Sequence, residues 1–213
     1  MDFLVMAGGL GLRLSETVGE VTEKPMLRIF GIPMIEYVLR ALEKSQIERA
    51  YVAVSPHTPL TREYVQSRAT TIDTPGSGYV EDLLYALGRM GTSGPILTVT
   101  ADLPLLSPNL VEDVLQYYSS RQGESMAVCV TWELCQTLGI RADSRFEHQG
   151  QAVVPTGLNV VVKDVKEDHI YVIEDRRLAV NVNRSEDIRI CEELLRSLDL
   201  SSGGKSRKQT SYC

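Results

Sequence analysis

A glycine-rich turn near the amino terminus carries the residues with the clearest chemistry. The chain reads Ala-Gly-Gly-Leu-Gly-Leu-Arg-Leu at positions 7–14, directly after a short apolar run, and Glu-Lys-Pro-Met follows at positions 23–26. Glycines lack the Cβ atoms that would keep an anion away from the backbone, so their amides can point at phosphate oxygens. Arg13 and Lys24 add positive charge beside them. The pattern predicts a phosphate-binding turn whose backbone is that of Ala7, Gly8, Gly9 and Gly11.

This turn differs from the two most common phosphate-binding motifs. A P-loop needs Lys followed by Ser or Thr after its last glycine, but Leu12 and Arg13 follow Gly11. The dinucleotide fingerprint needs a third glycine where Leu14 stands. The simpler alternative is a tight turn after a strand, with both cations solvated. The apolar run before the glycines and the two cations after them favour phosphate binding.

The coarse pattern of the chain is an alternation of short apolar runs and amphipathic segments, which predicts βαβ units and a mostly parallel sheet covered on both faces. Residues 152–162 read as a strand, and residues 178–182 as another. Trp132–Gln151 has no clear period and is predicted to leave the core, over the face that carries the site. We expect one domain over residues 1–198 and a disordered tail over residues 199–213, which are rich in Ser, Gly, Lys and Arg.

Further polar groups follow the predicted strands. Ligands of open α/β sheets bind beyond the carboxyl ends of the strands, and Ser55 and Asp102 each come just after one. Asp102 is the candidate magnesium ligand, since Mg²⁺ prefers one or two carboxylates together with phosphate oxygens. The alternative is an aspartate that accepts hydrogen bonds from nearby amides. Asn181 and Asn183 lie two apart on a predicted strand and would face one side, although they also fit a turn before Ser185.

Composition excludes several classes of function. The 213 residues carry a net charge of −6 with a pI near 5.2, so no overall positive field favours nucleic acid. No apolar run approaches the ~20 residues needed to span a bilayer. The amino terminus has neither a basic region nor a cleavage site of a secretory signal, and we expect a cytoplasmic protein.

Several segments together resemble the MobA-like nucleotidyltransferases and, more narrowly, the archaeal family of adenosylcobinamide-phosphate guanylyltransferases. The opening motif is shared across the wider group, and the likeness extends to about Leu198. Many relatives have Thr or Ser where Leu12 stands, so a hydroxyl contact to phosphate is absent. The other segments that carry the likeness are residues 55–59, 73–79, 101–104, 155–160 and 181–183.

The resemblance implies a Rossmann-like three-layer α/β/α nucleotidyltransferase fold and transfer of GMP from GTP to a corrinoid phosphate. It implies that Asp102 and Asn183 bind Mg²⁺, with Arg13 on the leaving phosphates and Lys24 on the reacting phosphate as further catalytic residues. Gly157 and Asn159 are predicted to approach the acceptor. The predicted residues around the guanine base are Ser55, Pro56, Asp73, Gly76, Ser77 and Gly78.

Three alternatives stay open at this point. The acceptor could be molybdopterin or a sugar phosphate, because the same fold and cations would serve them. The chain could instead be a non-catalytic regulatory subunit that binds a nucleotide, although Arg13, Lys24 and Asp102 together speak against it. A simple dinucleotide-binding module is disfavoured by the missing third glycine. The sequence also leaves the oligomeric state open, a homodimer included.

Overall fold

The structure is a computed structural model of the chain, and it describes residues 1–9, 11, 23–45, 48–121, 123–165 and 168–203. The α-helices are α1 (Met34–Glu43), α2 (Pro59–Val65), α3 (Tyr79–Arg89), α4 (Pro108–Ser119), α5 (Trp132–Leu138) and α6 (Ser185–Gly203), with a short 3-10 helix over Lys24–Met26. The strands are β1 (Asp2–Met6), β2 (Arg28–Ile29), β3 (Ile32–Pro33), β4 (Ala50–Val54), β5 (Thr70–Asp73), β6 (Ile96–Thr100), β7 (Ser125–Thr131), β8 (Phe146–His148), β9 (Gln151–Val161) and β10 (Asp168–Val172).

One eight-stranded sheet forms the centre of the molecule. Its order is β10-β7-β9-β6-β1-β4-β5, and β8 pairs with β9 outside this path. Pairing is parallel between β6, β1, β4 and β5 and between β10 and β7, whereas β9 runs antiparallel to its neighbours β6 and β7. The predicted mostly parallel sheet is confirmed, with β9 as the strand that departs from it.

Strand β1 shows how the sheet separates two cores. Its five residues are all buried, and successive side chains point to opposite faces. Phe3 and Val5 pack with α1 and α4 on one face, and Leu4 and Met6 pack with α3 on the other. The predicted three layers are therefore confirmed.

Helix α1 contributes an apolar face and one buried carboxylate to this packing. Glu36 accepts hydrogen bonds from the Tyr64 hydroxyl at 2.8 Å, from Arg40 Nε at 2.6 Å and from Arg68. Burial raises the pKa of the Glu36 carboxyl, but these donors outweigh it and hold the pKa below its usual value. The carboxylate thereby connects α1 with the end of α2.

The second half of the chain corrects two expectations. Residues 178–180 and 182 are buried, but residues 178–182 do not form a strand, because both edges of β6 are already paired by β1 and β9. They are joined to the end of β6 by a hydrogen bond from Val182 N–H to the Asp102 carbonyl at 3.0 Å. Trp132–Gln151 does not leave the core throughout, because it holds helix α5, whose Cys135 is buried in the core, as well as strand β8. Thr131 begins α5 by accepting a hydrogen bond from Leu134 N–H.

Helix α6 continues to Gly203, which is beyond the predicted boundary at residue 198. Extending an existing helix by one residue costs far less free energy than nucleating a new one. The end of the apolar face of α6 therefore does not set the end of the helix. Residues 204–213, the rest of the predicted tail, lie outside the described residues. Within the described part of the chain, no helix is both long and apolar enough to cross a membrane.

Candidate active site

Two neighbouring cavities open where the parallel strands β1, β4 and β6 end, as the positions of the polar groups predict. We call them the glycine-loop cavity, of about 350 Å³, and the asparagine cavity, of about 470 Å³. The glycine-loop cavity is lined by Met6, Ala7, Gly8, Gly9, Lys24, Pro25, His57, Gly76, Gly78, Tyr79, Asp82, Thr100, Ala101 and Asp102.

The glycine loop, described at residues 7–9 and 11, needs glycine at positions 8 and 11 for close packing. The Ser55 hydroxyl donates to the Gly8 carbonyl at 2.9 Å, and a Cβ on Gly8 would lie 3.2 Å from Ser55 Cβ. Gly11 has φ +61°, and a Cβ there would lie 2.9 Å from Lys24 Cβ. Ser55 and Gly11, both predicted to contact the nucleotide, therefore make packing contacts of the loop and lie outside the cavity lining.

Lys24 is held in place by the residue before it. The buried Glu23 carboxylate accepts hydrogen bonds from the backbone N–H groups of Leu60 and Thr61 and from the Thr61 hydroxyl, all at 2.6 Å. These amides belong to the first turn of α2, where a helix leaves its N–H groups unsatisfied and favours negative charge. Glu23 thus fixes the backbone that carries Lys24 into the cavity.

Lys24 joins two polar residues that the sequence separates widely. Its ammonium donates to Asp102 Oδ2 and, at 2.7 Å, to Asn183 Oδ1. The side chains of Lys24 and Asp102 are only 16% and 14% exposed. Asp102 Oδ1 is buried and has no hydrogen-bond partner among the described residues. The second carboxylate oxygen is therefore available to a further ligand.

The carboxylate beside the Gly76–Gly78 turn is Asp82, on the first turn of α3. Its Oδ1 accepts from the backbone N–H groups of Gly76 at 2.9 Å and Ser77 at 3.2 Å. Asp73, the residue predicted from sequence, lies outside the lining because it ends strand β5 with its side chain turned to solvent. There it pairs with Arg62 at 2.8 Å, and this guanidinium holds the pKa of Asp73 below its usual value.

Only some of the other residues predicted to contact the base line the glycine-loop cavity. Gly76 and Gly78 line the glycine-loop cavity, whereas Pro56 and Ser77 lie outside its lining. His57 also lines it and packs against Gly76. Arg13 lies outside the described residues, so its role stays a prediction.

Most residues that line the asparagine cavity come from the second half of the chain. Both residues predicted to approach the acceptor, Gly157 and Asn159, line it, as do Asn181 and Asn183. The Asn181 amide donates to the Thr156 carbonyl at 2.9 Å, which leaves Asn183 as the asparagine on Lys24. The full lining is Tyr79, Thr100, Asp102, Ile140, Arg141, Ala142, Asp143, Ser144, Val154, Pro155, Gly157, Asn159, Ala179, Asn181 and Asn183.

Gly157 allows β9 to approach the end of β6. Its φ is +82°, and a Cβ would lie 2.4 Å from Thr100 Oγ1, a separation that no side chain can accept. Thr100 Oγ1 is itself buried and has no hydrogen-bond partner within the described residues. A glycine is therefore required here by both its dihedral angle and its neighbour.

Tyr79 stands at the boundary between the cavities and lines both. Although 45% of the residue is exposed, its phenol lies within the cleft, where burial and the nearby Asp102 carboxylate raise its pKa to about 12. A hydrogen bond with the Asn159 side chain opposes this rise. The phenol is consequently protonated and neutral at physiological pH.

Sequence reasoning missed four polar side chains in the lining of the glycine-loop cavity, namely His57, Tyr79, Asp82 and Thr100. Only Asp82 left a usable signal, because an acidic residue in the first turn of a helix after a glycine-rich turn is placed to accept backbone N–H groups. The others become recognisable only when the strands are assembled.

The residues of this site fit a hard divalent cation, although no group of three or more His, Cys, Asp or Glu side chains occurs among the described residues. Mg²⁺ takes oxygen ligands and commonly keeps phosphate oxygens and water among them. The unpartnered Asp102 Oδ1 and the nearby Asn183 amide oxygen are such ligands. The arrangement can bind a polyphosphate through bare amides, an ammonium and an ion on Asp102.

Comparison with known proteins gives consistent matches. Residues 3–170 match the family model of the MobA-like NTP transferase domain. The chain is similar to the adenosylcobinamide-phosphate guanylyltransferase of Methanocaldococcus jannaschii, with 32% identity over 209 residues that cover 92% of this chain and 98% of the relative. The chain is also similar to the 3-deoxy-manno-octulosonate cytidylyltransferase of Nitrobacter hamburgensis. This match is shorter, with 35% identity over 99 residues that cover 44% of this chain and 38% of the relative.

Solved structures agree on the architecture. The CMP:2-keto-3-deoxy-manno-octonic acid synthetase complexed with CTP superposes with a TM-score of 0.65 and 14% identity over 94% of this chain and 98% of its own. A hypothetical transferase from Thermus thermophilus gives a TM-score of 0.57 and 22% identity over 76% and 65% of the two chains. At these identities the likeness shows a shared α/β nucleotidyltransferase fold.

Proposed function

The chain belongs to the MobA-like NTP transferase family, and from this premise we propose that it transfers GMP from GTP to adenosylcobinamide phosphate. The products are adenosylcobinamide-GDP and pyrophosphate, and the reaction serves cobalamin biosynthesis. The observation that carries the proposal is the similarity to the Methanocaldococcus guanylyltransferase, which extends over 98% of that relative's length. The two adjoining cavities support it, since the reaction needs one site for a nucleotide and one for an acceptor.

GTP binds in the glycine-loop cavity. The amides of Gly8 and Gly9 approach the phosphates, because neither residue has a side chain to keep them away. Lys24 supplies fixed positive charge at the same wall, held there by Glu23. Arg13, by its place in the family motif, is assigned to the leaving β- and γ-phosphates.

The guanine base is read beside the Gly76–Gly78 turn. Guanine presents two hydrogen-bond donors on one edge, N1–H and the 2-amino group. Asp82 Oδ2 faces the Gly8 side of the cavity, where a Cβ on Gly8 would lie 3.6 Å from it. We assign guanine recognition to this oxygen, since Asp82 Oδ1 is already engaged by the turn.

Asp102 and Asn183 would hold Mg²⁺. The ion would supply Lewis-acid stabilisation of charge on the triphosphate. Lys24 bonds to both of these residues, so its ammonium lies beside the phosphate that reacts. The chain itself thereby places a positive charge, the Lys24 ammonium, where the two cavities meet.

The transfer proceeds by in-line displacement. A phosphate oxygen of the acceptor forms a bond to the α-phosphorus of GTP, the bond from that phosphorus to the bridging α–β oxygen breaks, and pyrophosphate leaves with its electron pair. A phosphate monoester is largely dianionic at neutral pH, so no side chain has to remove a proton. Catalysis then rests on positioning and on stabilising charge.

The acceptor lies in the asparagine cavity, with Gly157 and Asn159 beside its phosphate. The test is to follow pyrophosphate release from GTP and Mg²⁺ with adenosylcobinamide phosphate, molybdopterin or a sugar phosphate as the acceptor. We expect release with the corrinoid alone. Release with another acceptor instead, or GTP binding without release from any, would overturn the proposal.

A further inference from the structure

Tyr79 lies at the boundary of the two cavities but has no assigned role in the proposed reaction. In the described linings, the residues common to both cavities are Tyr79, Thr100 and Asp102. The side chain of Asn159, which lines only the asparagine cavity, lowers the pKa of the Tyr79 phenol against the effect of burial. Tyr79 therefore stands at the boundary of the two cavities, with a residue of the acceptor side next to its phenol.

We propose that the Tyr79 hydroxyl donates a hydrogen bond to the phosphate of the acceptor and positions it for attack at the α-phosphorus. This rests on the proposed function, because it needs GTP in the glycine-loop cavity and a phosphate monoester in the asparagine cavity. The two phosphates then meet at the boundary where Tyr79 stands.

The boundary is rich in negative charge, so a tyrosine there can serve as a donor only if it keeps its proton. The incoming phosphate carries two negative charges, and Asp102 adds another beside it. Lys24 is already bonded to Asp102 and Asn183. A phenol keeps its proton at neutral pH. That proton can therefore be donated to the phosphate of the acceptor.

The backbone that carries Tyr79 is held in place by its neighbours. Tyr79 is the first residue of α3 and follows Gly78, whose φ of +127° lies where side-chain-bearing residues rarely occur. One turn later Asp82 is buried against the Gly76–Gly78 turn, and two turns later Ala86 is buried against the sheet. A donor on a packed helix loses little freedom when it binds, which is what a positioning contact needs.

The test compares Tyr79→Phe with Tyr85→Phe. Phenylalanine at position 79 keeps the ring and removes only the hydroxyl. Tyr85 is a matched control on the same helix, because its hydroxyl accepts from Arg89 at 3.0 Å and lies in neither cavity lining. For each variant we would measure pyrophosphate release with both substrates varied, and GTP affinity by calorimetry.

We expect Tyr79→Phe to lower kcat/KM for adenosylcobinamide phosphate by about 10- to 100-fold, the effect of losing one hydrogen bond to a charged group. The Kd for GTP should change by less than about two-fold, and Tyr85→Phe should match the wild type. Unchanged transfer by Tyr79→Phe, or an equal loss in GTP affinity, would overturn the assignment while leaving the proposed function intact. Failure of the wild type to transfer GMP would overturn both.

Discussion

The carboxylate of Asp82 should decide which purine the protein binds. Asp82→Asn keeps the Oδ1 that accepts from Gly76 and Ser77, so the turn beside the base should hold. It replaces Oδ2, the oxygen assigned to guanine, with an NH₂ group. The N1–H and 2-amino donors of guanine would then face the amide NH₂ group, which is also a hydrogen-bond donor. Xanthine carries an oxygen at carbon 2 in place of guanine's amino group, and the new amide could donate to it.

The magnitude follows from the bonds exchanged. A hydrogen bond to a charged group contributes about 1.5–3 kcal/mol, so its loss should weaken GTP binding by roughly 10- to 150-fold. XTP should gain a neutral hydrogen bond of about 0.5–1.5 kcal/mol in the variant. The ratio of XTP to GTP affinity should therefore rise by at least about 20-fold, a change that calorimetry with each nucleotide and Mg²⁺ resolves.

Asp73→Asn is the matched control for this experiment. The Asp73 carboxylate pairs with Arg62 outside the cavity, so this variant should leave the affinity ratio unchanged. Our reasoning is refuted if Asp73→Asn alters the preference between GTP and XTP while Asp82→Asn does not. Asp82→Ala should lose GTP affinity without gaining XTP affinity, because it removes both the anchor of the turn and the group that faces the base.

Three further results are expected from single substitutions. Lys24→Ala should lower kcat by about 10²- to 10³-fold with cooperative thermal unfolding retained; near-normal turnover would exclude Lys24 from catalysis. Asp102→Asn should abolish transfer at Mg²⁺ concentrations that saturate the wild type, and an unchanged metal dependence would exclude Asp102 as a ligand. Glu36→Gln should cost about 1–3 kcal/mol of unfolding free energy at pH 7. Because the folded-state pKa of Glu36 is lowered, this contribution is present above its unfolded pKa and is lost as pH falls through the folded value, so denaturation curves of variant and wild type should converge in acid.

The sequence alone determined the features that arise within a few residues. The apolar run of β1 followed by glycines predicted a buried strand and a turn open to phosphate, and the cavity lies there. The amphipathic segments between the apolar runs predicted helices with one buried face, as in α1. Asp102 could be recognised because it follows the strong strand β6. These features follow from backbone sterics and side-chain periodicity, which do not depend on distant parts of the chain.

Only the tertiary structure decided which of several similar residues face the cavities. Asp73 and Asp82 are both acidic and flank the same turn, but β5 directs one to solvent while α3 directs the other to Gly76. Lys24, Asp102 and Asn183 meet because the ends of separate elements converge at one edge of the sheet. Tyr79 reaches the boundary of both cavities for the same reason. Such contacts join residues far apart in sequence, and strand order and helix packing set them, so no local pattern could reveal them.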